Sequence, residues 1–218
     1  MRAKGHAIGC ATAAPQQGPK AAPQAWDVLP ASWRDVPGML DAVVQAATEG
    51  HFSRSFLDVR HQVGLAMQLF SAVLLGRMAI HGQAVTPSRI SVVRQGDEVL
   101  GFALVRALPD PAARPHLELH LVCVVPHARN RGVGEALVRT SAAWLEPGQS
   151  LLVTTLSQAH GMKRLLRRLG AHRLGALPSA SPSQQALEAF AFGVSAVDHR
   201  PDAPWQDWLR PTHAIGRS

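Results

Sequence analysis

Between His116 and Val138 the chain passes from a β-rich run, through a proline and a glycine-rich turn, straight into a helical pattern. That junction limits the folds open to it. The run His116-Leu-Glu-Leu-His-Leu-Val-Cys-Val-Val125 has the spacing of a strand. Pro126 cannot donate a ladder hydrogen bond and ends it. Arg129, Arg131, Gly132 and Gly134 follow, and a helical pattern runs from Gly132 to Leu145. A strand feeding a helix through so short a turn points to an α/β or α+β domain. The first N–H groups of a helix have no internal partner, and the dipole there favours an anion, so the junction suits a phosphate. The glycines let backbone pass close to such a ligand, and the two arginines add positive charge to the same rim. Two other phosphate loops are excluded. No Gly-x-x-x-x-Gly-Lys occurs, and Leu137 stands where a dinucleotide fingerprint needs its third glycine.

The rest of the chain supplies elements for one domain. Trp26 to Leu29 suggests a short strand. Asp35-Val-Pro opens a helix through about Ala47, with Asp35 as its cap and Pro37 in its first turn. An amphipathic pattern from Asp58 to Ile80 predicts a long helix whose stripe Val63, Met67, Phe70, Leu74 and Met78 packs on the core. Gly64 and Gly76 interrupt that pattern. Ile90 to Arg94 and Glu98 to Leu108 are strands joined by the hairpin signal Gln-Gly-Asp. Leu151 to Leu156 is a buried strand, and Met162 to Leu169 is a helix stopped by Gly170. Leu174 to Leu177 and Leu187 to Val194 close the series as strands. Together they predict an α/β (α+β) domain around one mixed sheet over residues 26–194. Residues 1–25, rich in Ala, Gln, Pro and Gly, carry too little apolar surface to offset chain entropy and are expected to be a disordered leader. Residues 195–218 form an irregular tail in which Trp205, Trp208 and Leu209 are the groups able to dock on the body.

Composition narrows the function classes. At 218 residues the chain can bury a substantial core. Its net charge of +7 favours anionic ligands, with a phosphate-bearing cosubstrate and nucleic acid as the two candidates. No helix-turn-helix signature or stacking motif supports nucleic acid. The two cysteines, Cys10 and Cys123, form no disulfide framework, which makes a reducing, cytoplasmic compartment the default. Val63 to Ile80 is the longest apolar segment, and Gln68, Ser71 and Arg77 break it, so a membrane span is not expected. The basic, acid-free start weakly resembles a transit peptide but lacks the arginine-rich amphipathic repeat. Eleven histidines show no metal-ligand spacing, so no metal is expected. A homodimer stays open.

The run Arg129-Asn-Arg-Gly132-Val-Gly134, preceded by Val124-Val-Pro126, resembles the acyl-CoA loop of the GNAT superfamily of N-acetyltransferases, and the order of elements on either side resembles that family too. The resemblance implies a mostly antiparallel sheet with a splayed central strand pair, flanked by helices. It implies that backbone N–H groups of Arg129, Asn130, Arg131, Gly132, Val133, Gly134 and Glu135 hold the diphosphate of acetyl-CoA. It also implies that the exposed backbone of Val122, Cys123 and Val124 pairs with the pantetheine arm and the acetyl carbonyl, a use of strand edge for which a bulge is a common device. Ser157 stands near the place of a family asparagine and would touch the same arm. The early loop with His51, Phe52, Arg54 and Asp58 would border the acceptor amine.

Acyl transfer needs a neutral amine and so a group to take its proton. Strict alternation places Glu118, His120, Val122 and Val124 on one face of their strand, and Leu119, Leu121, Cys123 and Val125 on the other. Glu118 resembles the general-base glutamate of the histone acetyltransferase branch, and apolar neighbours would raise its pKa toward the working range. His120 is the other base or a relay. A solvated edge face for both is the plain alternative. Leu166 occupies the position of the family's tyrosine acid, and the chain has no tyrosine at all. Ser157 and His160 are the nearby substitutes, although a thiol of ordinary pKa near ~8.5 leaves tolerably unaided. Lys163, Arg164, Arg167 and Arg168 read as a solvated helix face first and as ligands of the CoA 3′-phosphate second. Cys123 reads as a small buried hydrophobe rather than a nucleophile. The activity implied is acetyl transfer from acetyl-CoA to an amine, with a non-catalytic CoA-binding regulatory module as the alternative.

Overall fold

The computed structural model describes residues 25–78, 85–108, 116–177 and 186–193. Residues 1–24 of the leader, the whole tail with Trp205, Trp208 and Leu209, Ile80 and Val194 lie outside the described residues. The elements are β1 (Val28–Pro30), α1 (Val36–Thr48), α2 (Val59–Leu75), β2 (Arg77–Met78), β3 (Thr86–Gln95), β4 (Glu98–Ala107), β5 (Leu117–Val124), α3 (Val133–Ala142), β6 (Leu151–Leu156), α4 (His160–Arg168), β7 (His172–Leu177) and β8 (Leu187–Phe192). They build one sheet in the order β1-β3-β4-β5-β6-β8-β7, with β2 also on β3. Every pairing is antiparallel except β5 with β6. This is the mixed, mostly antiparallel α/β sheet expected. Among the described residues no helix is long and apolar enough to cross a membrane.

Local chemistry explains most boundaries. The β3–β4 hairpin turns on Gly96 at φ 62°, a left-handed value that glycine adopts without steric cost. Helix α2 starts where the Asp58 carboxylate accepts from the Arg60 N–H at 2.8 Å. It stops at Gly76, whose left-handed conformation turns the chain into β2, so it ends five residues before the predicted Ile80. Asp35 stands at the N-cap of α1 as expected, but its side chain makes no capping hydrogen bond there. Its carboxylate reaches back to the Ser32 N–H and hydroxyl and is ion-paired with Arg94, so this buried acid ties the entry of α1 to β3.

The core lies on both faces of the sheet. Cys123 of β5 donates its thiol hydrogen to the Ala42 carbonyl of α1 (3.3 Å), which puts α1 on one face. A Cβ on Gly101 of β4 would meet Val133 of α3 (3.0 Å) and Val124 (3.2 Å), which puts α3 on the other. Helix α2 packs beside α1 through Leu65, Leu69 and Ala72, all buried. The predicted stripe is mostly the wrong face. Val63, Met67 and Leu74 are 58%, 66% and 63% exposed, whereas Phe70 packs partly buried against the core and Met78, now in β2, is buried. The helix carries two apolar stripes, and the one through Leu65, Leu69 and Ala72 is the one buried.

Candidate active site

The site begins with a register defect. In the β4–β5 ladder Val105 pairs with Leu119 and Leu104 with Leu121, so His120 is an extra residue in a bulge. The bulge resets the alternation predicted from spacing. Glu118 pairs with Arg106 and shares the α1 face with Leu121 and Cys123, whereas Val122 and Val124 face α3. Glu118 and Val122 therefore lie on opposite faces, and the single face expected for Glu118, His120, Val122 and Val124 does not form.

On its other edge β5 pairs with β6 only from Leu117 to Leu119, opposite Leu151 to Val153. From His120 onward the pair is open. The Val125 N–H donates to the Leu100 carbonyl of β4 (3.0 Å). Antiparallel alternation then turns the Cys123 N–H and C=O toward β4 and those of Val122 and Val124 into the gap. Of the three residues expected to offer backbone there, Cys123 does not.

The turn after β5 closes the end of the gap. Asn130 has φ 60° and Gly132 has φ 89°, so two left-handed residues bend the backbone into α3. The N–H groups of Asn130, Arg131, Gly132, Val133, Gly134 and Glu135 donate to nothing among the described residues. Such a run at a helix N-terminus is a cradle for an anion. The Arg129 N–H is excluded from it, since it bonds Pro126 O (3.2 Å). Its side chain also departs from expectation. The guanidinium turns inward, donates to the Val124 carbonyl (3.1 Å) and pairs with Glu49 at the end of α1, so it braces the strand end instead of lining the rim. Trp26 was missed by sequence reading: its indole N–H donates to the Arg131 carbonyl (2.8 Å).

Glu118 is buried, and Arg106, also buried and unforeseen, holds one of its oxygens. The other lies 3.3 Å from His120 Nδ1, whose side chain is 30% exposed. The expectation of a raised Glu118 pKa is reversed. Burial pushes it up, but the charges and hydrogen bonds of His120 and Arg106 outweigh that and hold it below its ordinary value of 4.5. A carboxylate can only accept, so the Glu118 contact places the proton of neutral His120 on Nδ1 and leaves Nε2 as the basic atom. Neither residue is a solvated edge group.

The remaining candidates sort by contact. Leu166 is fully buried in the core, so α4 offers no acid at the tyrosine position. Ser157 follows the end of β6, its N–H bonded to Ala186 O (2.9 Å) and its carbonyl accepting from Lys163 Nζ (2.5 Å). His160 is exposed at the start of α4. Lys163 is engaged by Glu188 (2.7 Å) and the exposed Arg168 by Glu135 (2.6 Å), which leaves Arg164 and Arg167 as the exposed cations of that helix without an ion pair among the described residues. Cys123 is buried and its thiol is pushed up to about 12, chiefly by desolvation, which makes it inert. Asp58 serves as the α2 cap, and Phe52 packs edge-to-face with Phe56 (6.2 Å), while His51 and Arg54 are exposed. No His/Cys/Asp/Glu group among the described residues could hold a metal ion.

Residues 77–171 match the model of the acetyltransferase (GNAT) family. No curated protein matches the sequence. Among solved structures, the fold is similar to histone acetyltransferase HPA2 and related acetyltransferase from Corynebacterium glutamicum, at 23% identity and a TM-score of 0.56 over 77% of this chain and 96% of that one. It is similar to a GCN5-related N-acetyltransferase from Kribbella flavida, at 22% identity and a TM-score of 0.58 over 79% of this chain and 100% of that one. It is also similar to yncA from Salmonella typhimurium, solved with its cofactor acetyl-CoA, at 16% identity and a TM-score of 0.57 over 79% of this chain and 96% of that one. The glycine turn, the opened strand pair and α4 all fall inside the matched segment, so residues 77–171 are similar to the acetyltransferase domain of the GNAT family.

Proposed function

We propose that this protein moves the acetyl group of acetyl-CoA to a primary amine by direct attack on the thioester. The observation that carries the reading is the run of six N–H groups from Asn130 to Glu135 that have no partner among the described residues, set at the mouth of the gap that opens beside β5. The diphosphate of CoA fits that run, because a doubly charged anion satisfies donors that no described residue meets. The pantetheine arm would lie along β5, pairing with the backbone of Val122 and Val124. An N–H aimed into the gap is placed to receive the thioester carbonyl as it becomes an oxyanion.

His120 is the better base and Glu118 the residue behind it. Arg106 holds the Glu118 carboxylate ionised and in place, and Glu118 directs His120 Nε2 outward. The imidazole takes the proton of the amine, and the buried carboxylate stabilises the imidazolium that results. The CoA thiolate leaves without the tyrosine common in the family. Ser157 and His160 are the candidates to assist it.

Calorimetry with CoA and acetyl-CoA, followed by a thiol-release assay across a panel of protein, polyamine and amino-acid amines, tests this. Binding with amine-dependent CoA release is the expected result. Binding without release from any amine would favour a regulatory CoA-binding module, in line with the buried Leu166. No affinity for CoA or its thioesters would remove the reading.

A further inference from the structure

Trp26 stands just ahead of β1, 105 positions from Arg131, yet three contacts tie it to the glycine turn. Its indole N–H donates to the Arg131 carbonyl at 2.8 Å. The Arg131 guanidinium lies over the ring, 5.2 Å from its centroid. A Cβ built on Gly132 would sit 3.8 Å from Cδ1 and Nε1 of the same ring, so the indole covers the Gly132 α-carbon. These contacts have a directional consequence. A trans peptide is planar, and the carbonyl of Arg131 and the N–H of Gly132 point opposite ways across it. Holding the carbonyl on the indole aims the N–H away from Trp26. Without that tether Gly132, at φ 89°, has wide conformational freedom to rotate the peptide and break the row of donors.

We propose that Trp26 is a positioning residue for acyl-CoA, latching the Arg131–Gly132 peptide so that the Gly132 N–H faces the diphosphate. The proposal rests on the reading of residues 130–135 as the diphosphate cradle. It makes a segment outside the matched domain part of the cosubstrate site, through a residue that touches the loop and not the reacting atoms.

The test is Trp26→Phe in the full chain. Phenylalanine keeps a ring beneath Arg131 and over Gly132 but has no N–H to donate. Loss of one such hydrogen bond is expected to raise the Kd for CoA and the KM for acetyl-CoA by about two- to tenfold, with kcat at saturating acetyl-CoA unchanged. S-acetylpantetheine, a thioester without a diphosphate, serves as the second donor. Its kcat/KM should be the same for wild type and W26F. Unchanged CoA affinity in a W26F protein overturns the latch, and so does an equal loss with S-acetylpantetheine, which would report general damage to the fold. Wild-type protein that binds no CoA removes the cradle and the latch together, whereas wild-type binding with an unaltered W26F removes the latch alone.

Discussion

His120 Nδ1 lies 3.3 Å from one oxygen of Glu118, and Arg106 holds the other, so a partly exposed imidazole is backed by a buried ion pair at the point where β5 and β6 part. The arrangement separates two roles that one carboxylate is often asked to fill. Replacing His120 by Asn is expected to lower kcat by about 10²- to 10⁴-fold, the usual contribution of a positioned base, with acetyl-CoA affinity retained. Glu118→Gln keeps a hydrogen-bonding group beside Nδ1 and should cost less. Steady-state kinetics with calorimetric affinities on both variants checks this. A larger loss in E118Q than in H120N would return the base to Glu118.

The same pair governs stability in acid. The Glu118 pKa is held below its ordinary value of 4.5 in the fold. A depressed carboxyl stabilises the fold in full above its unfolded-state value, and that contribution fades as pH falls from about 4.5 through the lower folded-state value. Urea midpoints of wild type and E118Q should therefore differ most at neutral pH and converge below pH 4.5. Arg106→Met alone leaves a buried carboxylate without its cation and should cost about 3–5 kcal/mol, whereas Arg106→Met with Glu118→Leu should recover most of it. A pH-independent difference between wild type and E118Q would refute the linkage.

The cosubstrate loop was legible because its residues carry their own backbone demands: Pro126 ends a ladder, Gly132 permits a left-handed turn, and a helix must begin with open N–H groups. What failed to show in the sequence was set by distant partners or by an unsigned irregularity. The bulge at His120 has no composition cue, and without it Glu118 falls on the wrong face. Arg129 looked like a rim cation because Glu49 and the Val124 carbonyl, which turn it inward, meet it only in the fold. Arg106 reaches Glu118 across a strand pair, and Trp26 reaches Arg131 from the far end of the domain.

Helix α2 offers a check on which apolar stripe faces the core. Leu69 has no exposed surface, and Met67, two residues away, is 66% exposed. Leu69→Ala should cost about 2–5 kcal/mol through lost burial and the cavity left behind. Met67→Gln should change stability by less than about 0.5 kcal/mol, as surface substitutions do. Denaturant melts of the two variants measure the contrast. Equal losses would mean that the stripe of Val63, Met67 and Leu74 is covered in solution.

Cys123 sits beside the gap, where a thiol invites a nucleophilic reading, but its surroundings oppose one. The Sγ donates to Ala42 O, burial pushes the thiol to about 12, and the strand directs it toward α1 and away from the gap. At pH 8 only about one part in 10⁴ would be thiolate, given tenfold for each pH unit below the pKa, and the residue is only 3% exposed. With Cys10 replaced by Ser, a disulfide-exchange reagent should leave the folded protein unmodified for hours and titrate one thiol once urea is added. Cys123→Ala should keep full turnover, because the group takes no part in the transfer and loses only a small buried contact. A folded protein that reacts within minutes, or a C123A variant with acetyl transfer abolished and its fold intact, would put sulfur back into the mechanism.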